Sequence, residues 1–133
     1  MNTIVTNVTA IENVNNLTLL HCESHTTAIV MMSLKLNPDI RQGSQVALAV
    51  KPTNIILAKE HPQQTSCENI LHATVKTVEA GELLCSVTVS FEETILEAII
   101  TREAHNRLLL KQGDAVSLLI GANDIYIQEI LDV

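Results

Sequence analysis

The sequence predicts an all-β protein made of two tandem five-stranded β-barrels, each with one short helix. Three observations carry that expectation. The segment order of Asn2–Glu60, a valine-rich run, a polar stretch, Gly43 and then VKPTNIILA, returns in Asn69–Val133 with Gly113 and IGANDIYIQ, and a repeat of this kind marks duplication of one structural unit. One Phe, one Tyr and no Trp leave Val, Ile and Leu to fill the core, a composition that suits pleated, half-buried strands. In each half the apolar period changes from strand-like to helical after the third strand, which places one helix inside an otherwise β unit.

The repeat sets the boundaries. Gly43, Ala28, Val46 and Asn54 match Gly113, Ala98, Val116 and Asp124 at a spacing of 70, whereas Asn2, Ile4, Val8 and Glu12 match Asn69, Leu71, Val75 and Glu79 at 67. The second copy therefore holds three extra residues, expected in its first hairpin, because loop tips tolerate insertion. The first unit is expected over residues 1–60, a linker over 61–68 with Pro62 and no apolar period, and the second unit over 69–133. Units of about 60 residues bury too little surface to be very stable alone, so the two should pack together.

First strands are expected at Thr3–Ile11 and Ile70–Val78, rich in β-branched residues. Turns follow at Glu12–Asn16 and Glu79–Glu82, the latter containing Gly81, which can adopt positive φ. In the second strands, Leu17–Cys22 and Leu83–Phe91, the alternation of Cys85, Val87, Val89 and Phe91 with Ser86, Thr88 and Ser90 defines a buried and a wet face. Third strands fall at Thr26–Met32 and Ile95–Ile100. Thr101–Leu110 then reads as a short helix with an N-cap threonine and Glu103 in its first turn; its counterpart, Ser33–Ile40, contains Asn37 and Pro38, which should shorten or break it. Gly43 and Gly113 reverse the chain into fourth strands, Gln45–Val50 and Ala115–Ile120. Fifth strands, Asn54–Ala58 and Asp124–Ile130, are expected to close each unit. Five strands with a helix between the third and fourth is the order of an OB-like barrel.

Composition excludes several functions. The net charge of −7 lies wholly in the second unit, since residues 1–60 hold four basic and four acidic side chains while residues 61–133 hold four basic and eleven acidic ones. Without clustered Lys/Arg or stacking aromatics, nucleic acid is not an expected partner. No apolar run is long enough to span a bilayer and no signal-like segment opens the chain, so the expectation is a cytoplasmic protein with no membrane association. Cys22, Cys67 and Cys85 have no paired spacing and read as reduced thiols. His21, Glu23 and His25 would share one strand face, but a hairpin tip rarely supplies the further ligands and supporting shell that a metal needs. No nucleophile with its base and no Gly-rich loop is visible, and no enzyme is expected.

The stretches NILHATVKTVEAG (69–81), AIITREAHNRLLLKQGDAV (98–116) and QGSQVALAVKPTNIILA (42–58) resemble the molybdate-binding Mop or TOBE family in its tandem form. The resemblance covers nearly the whole chain. It implies OB-like units, a molybdate or tungstate ligand without any other cofactor, and a homo-oligomer, dimer or trimer, with ligand between units. The family's Ser-Ala-Arg-Asn opening motif is matched by Ser66, Cys67, Glu68 and Asn69, with an acid at the cationic position. Its Thr-x-x-Ser at the helix start is matched by Thr101 with Ala104 in the second unit and by Met31 with Leu34 in the first, where Ser33 lies one position away. Its Lys-Ala-Ser/Thr is matched by Lys51, Pro52 and Thr53, but by Gly121, Ala122 and Asn123 in the second unit.

A tetrahedral dianion is held by hydroxyls, backbone N–H groups and a cation. The resemblance thus implies one site drawn from both units: Lys51 and Thr53 from the first, Thr101 and the N–H groups of Arg102 and Glu103 from the second, with hydroxyls from Ser66 or Ser33. Each residue also has a plain structural role open to it: Lys51 a solvated strand-end lysine, Thr101 an N-cap, Thr53 and Ser33 turn residues, Glu68 a linker acid. The function expected is storage, buffering or sensing of molybdate or tungstate without catalysis. The competing expectation is a Mop pair that has lost its ligand and serves assembly with a transporter ATPase or regulator.

Overall fold

The computed structural model describes residues 2–131, so the outermost limits of the expected units, residues 1 and 133, lie outside it. The first unit comprises β1 (Asn2–Val14), β2 (Leu17–Ser24), β3 (Thr27–Ser33), β4 (Gln45–Val50), a 3-10 turn (Pro52–Asn54) and β5 (Ile56–Ala58). The second comprises β6 (Asn69–Ala80), β7 (Leu84–Phe91), β8 (Thr94–Thr101), α1 (Arg102–Leu108), β9 (Ala115–Ile120), a 3-10 turn (Ala122–Asp124) and β10 (Ile125–Ile130). The chain is mostly β, in two curled, OB-like five-stranded sheets. The alternation expected of β7 is present: Cys85, Val87, Val89 and Phe91 are buried and the residues between them half-buried.

The sheets do not close as expected. Their strand orders are β10-β4-β1-β2-β3 and β5-β9-β6-β7-β8, so each unit gives its fifth strand to the other. Ile125–Ile130 runs antiparallel to β4, and Ile56–Ala58 runs antiparallel to β9. The cause lies in the connection after the fourth strand. Lys51 and Gly121 are extended (φ −69° and −67°), and the 3-10 turn that follows each carries the chain past the edge of its own sheet instead of folding it back as a hairpin. Exchange loses no burial, because one apolar cluster runs through both units and includes Ile4, Leu20 and Leu48 of the first and Leu71, Phe91 and Leu118 of the second.

Two asparagines cross-link the units further. Asn2, opening β1, donates through Nδ2 to the carbonyl of Glu97 at 2.7 Å and accepts from the Glu97 N–H at 2.8 Å. Asn69, opening β6, does the same with Val30, at 2.9 and 2.8 Å, and also donates to the Ile120 carbonyl at 3.0 Å. Val30 and Glu97 lie on β3 and β8, which stand at sheet edges. There the carboxamide serves as one peptide of a missing neighbouring strand and satisfies a part-buried donor and acceptor together. Both asparagines are buried.

The same contacts correct the placement of the insertion. Asn2 with Glu97 and Asn69 with Val30 are related by 67, as are the hairpin residues His25 and Glu92, both at positive φ (50° and 53°). The spacing of 67 therefore persists through β3 and β8, and the first hairpins, closed by Val14 with Leu17 and by Gly81 with Leu84, are equally long. The three extra residues fall after the third strand, where residues 101–111 correspond to 34–41. Ala98 is thus the counterpart of Met31, and Thr101 that of Leu34.

That shift explains the fate of the helices. Thr101 caps α1 by accepting from the Ala104 N–H at 3.1 Å, as an N-cap hydroxyl should. Leu34 has no such acceptor, Pro38 follows, and residues 34–41 form no helix; Leu36 and Ile40 still pack against the core.

The glycines divide by role. Gly43 and Gly113 have φ of 94° and 93°, and their N–H groups meet the Val8 and Val75 carbonyls at β-bulges in β1 and β6. Gly81, expected to use positive φ, does not. It is required for space, since a Cβ there would stand 2.8 Å from the Leu84 carbonyl oxygen.

Candidate functional site

The seam between the units places the first 3-10 turn against the end of β8 and the start of α1. An open cleft of about 350 Å³ lies there, lined by Thr53 and Ile55 from the first unit and by Ile99, Thr101, Ala104 and Arg107 from the second, among others. The structure therefore brings together Thr53 and Thr101, the two hydroxyls that the sequence paired across units. Lys51, exposed, opens the same 3-10 turn as Thr53, and its carbonyl accepts from the Asn54 N–H at 2.9 Å. Among the described residues its ammonium makes no ion pair.

The remaining residues expected at this site lie elsewhere or are already engaged. Arg102 turns away, its Nη1 donating to the Gly81 carbonyl at 2.6 Å, and its own N–H is held by the Leu83 carbonyl at 2.8 Å. The Thr101 hydroxyl oxygen already accepts from Ala104, which leaves its proton to donate. Ser33 makes a local turn with Lys35 and lines a different cleft. Ser66 is exposed in the linker. The cationic residue that lines the cleft is Arg107, which sequence reasoning missed; it pairs with Glu103 at 3.1 Å on a solvated face. Helical spacing held the signal, because residues 104, 107 and 108 share the face that points back toward Thr101, whereas Arg102 does not.

A second cleft, of about 730 Å³, occupies the corresponding seam between the second 3-10 turn and the end of β3. It is lined by Asn123, Ile125, Met32 and Leu34, the counterparts of Thr53, Ile55, Ile99 and Thr101. The missing helical turn makes it larger; both threonines are lost, but Ser33 and Lys35 also line it. At the same turn, Glu68 accepts from the Ala122 N–H at 2.8 Å.

That contact, and then Glu68's own N–H, hold its carboxyl below the usual carboxylate range. A depressed folded-state value contributes stability that is present above the ordinary pKa and lost as pH falls through the lowered one. Glu68→Gln is therefore expected to flatten the acid side of a melting-temperature profile. Equal acid slopes in variant and wild type would show that the carboxylate is not held.

Other candidates separate from the site. His21 contacts Glu12 at 2.6 Å, and His25 sits in the hairpin turn beside Glu93. The described residues contain no group of three or more His, Cys, Asp or Glu side chains able to hold a metal ion. All three cysteines are free; Cys22 and Cys85 are buried, and burial pushes the Cys22 thiol up. No helix among the described residues is long and apolar enough to cross a membrane.

Comparison with known proteins places this architecture. Residues 65–127 match the TOBE domain family. Eighty residues, 60% of the chain, are 30% identical to the molybdenum import ATP-binding protein ModC of Pasteurella multocida (strain Pm70), of whose length the match spans 23%. The chain is thus similar, over its second half, to TOBE-domain proteins. A crystal structure of the cytoplasmic molybdate-binding protein ModG, with molybdate bound, superposes with a TM-score of 0.88 over 95% of this chain and 94% of that one, at 24% identity. That likeness establishes a shared fold. The domain match falls on the end of the linker and most of the second unit, and the first unit is tied to it by equivalent bulges, glycines and asparagine clamps.

Proposed function

We propose that the chain is a TOBE/Mop protein that binds a tetrahedral oxyanion, molybdate or tungstate, without catalysis, and serves its storage, buffering or sensing in the cytoplasm. The observation that carries the reading is the meeting of Thr53 and Thr101, from different units, in one cleft with Arg107 on its wall and Lys51 at the start of its turn. Two hydroxyl donors and two cations are the groups that a small dianion requires. The names of the ModC and ModG relatives support the choice of oxyanion. As in the tandem form, the units act as one body within a homo-oligomer.

A second reading, an assembly module without ligand, is favoured by the apolar share of the cleft, where Ile55, Ile99 and Leu108 stand beside the threonines. Titration calorimetry with molybdate, tungstate and sulfate separates the two. Binding is expected in the wild type, with Lys51→Ala and Arg107→Ala each weakening it by about tenfold or more, equivalent to about 1.4 kcal/mol. Absence of heat and of thermal stabilisation at excess molybdate would leave the assembly module as the function.

A further inference from the structure

The cation that follows the third strand is used differently in the two units. Arg102, the first residue of α1, turns from the first cleft to the β6–β7 hairpin: its Nη1 donates to the Gly81 carbonyl at 2.6 Å, and its N–H donates to the Leu83 carbonyl at 2.8 Å. Its counterpart, Lys35, is bonded otherwise. The Lys35 N–H is taken by Ser33 Oγ at 3.2 Å, the residue lines the second cleft, and no helix follows it before β4. Gly81 is itself held, its N–H donating to the Leu84 carbonyl at 2.8 Å, so the carbonyl it offers to Arg102 is fixed in the hairpin. With seven residues, α1 is too short to hold its own position without tertiary anchors. Its far end is tied down by Leu108, packed against the core, and by buried Leu110. At the near end stand Thr101, which caps Ala104 at 3.1 Å and lines the first cleft, and, further along the helix, Arg107 on the same wall.

We propose that Arg102 is a positioning residue for the first seam: by gripping the Gly81 carbonyl, its side chain fixes the start of α1 and so holds the Thr101 hydroxyl and Arg107 over the cleft. The proposal rests on the oxyanion function proposed above, and it gives Arg102 a part in binding without contact with the ligand. A hydrogen bond from a charged donor is shorter and stronger than a neutral one, and groups placed before the ligand arrives bind it with less loss of freedom. The coupling is reciprocal. If the latch favours binding, bound oxyanion must favour the latch by the same factor.

The test compares the wild type with Arg102→Met, whose exposed position leaves the core intact. Molybdate is titrated by calorimetry in about 0.5 M salt, where the loss of one exposed charge is screened. Arg102→Met should weaken binding about fivefold. In the wild type the Gly81 carbonyl carbon, which lies outside the cleft, should shift in the NMR spectrum on saturation with molybdate, and in Arg102→Met it should not. A residue that only stabilised the fold would leave that carbon blind to the ligand. Unchanged affinity in Arg102→Met, or a Gly81 carbonyl indifferent to molybdate in a wild type that binds it, overturns the role of Arg102 alone. A wild type that gives no heat overturns the function proposed for the seam, and the helix start is then judged without ligand. The Ala104 amide, bonded to Thr101, should exchange about tenfold faster in Arg102→Met, and an unchanged rate overturns the latch.

Discussion

Asn69→Ala is expected to lower the stability of the protein by about 2–4 kcal/mol, because it leaves a part-buried N–H and carbonyl of Val30 unpaired and a fully buried group of this kind costs about 1–3 kcal/mol. The Ile120 carbonyl loses a donor as well. Asn2→Ala removes the equivalent pair at Glu97 and should follow at a slightly smaller cost. The informative variant is Asn69→Asp, whose shape is retained. A carboxylate accepts from the Val30 N–H but faces two carbonyl oxygens with no proton to give, so at neutral pH it should be no better than alanine. Urea midpoints at unchanged slope would measure all three. A midpoint for Asn69→Ala within experimental error of the wild type would show that the clamp contributes nothing.

Separation of the units is expected to have the largest effect of all. A fragment of residues 1–60 lacks β10, which covers one edge of β4, and lacks the Asn69 side chain that covers the outer edge of β3. Val46 to Val50 are all buried in the intact chain, so the fragment would expose an apolar edge strand. Neither 1–60 nor 61–133 should show a cooperative melt alone, while the two mixed, or a chain cut once within the exposed part of the linker, should remain associated and melt as one unit. A dispersed NMR spectrum from 1–60 by itself would mean that β5 can close its own sheet, contrary to the exchange.

Most of the local structure was legible in the sequence. Alternation located the strands, Gly43 and Gly113 located the reversals, and Thr101 located the helix start, because each is dictated by neighbours in the chain. The strand exchange was not legible, since β5 and β10 have the same period whichever sheet they join and only the connection geometry decides. Nor was the position of the insertion, where the identity of Ala28 with Ala98 is coincidental and the clamps of Asn2 and Asn69 give the true register. At the site, pairing Thr53 with Thr101 needed only the repeat and the family pattern. The pattern pointed to the N–H of Arg102, next to the helix start, and not to Arg107, whose place on the cleft wall follows from helical direction. Glu68 was visible as a charge inversion, but its acceptance of the Ala122 N–H depends on a contact across fifty-four positions.

Reciprocal exchange also constrains the order in which the molecule can assemble. The residues that pair β4 with β10 are roughly eighty positions apart, and pairings of such separation form late and slowly. During synthesis β4 must wait, one edge vacant, until almost the whole second unit has been made. At high chain concentration the vacancy can be filled by β10 of another molecule, because the bonds offered are identical. Crowded refolding would then yield interlinked chains of native local structure, and dilution at the moment of refolding, more than any change of solvent, would favour the monomeric handshake.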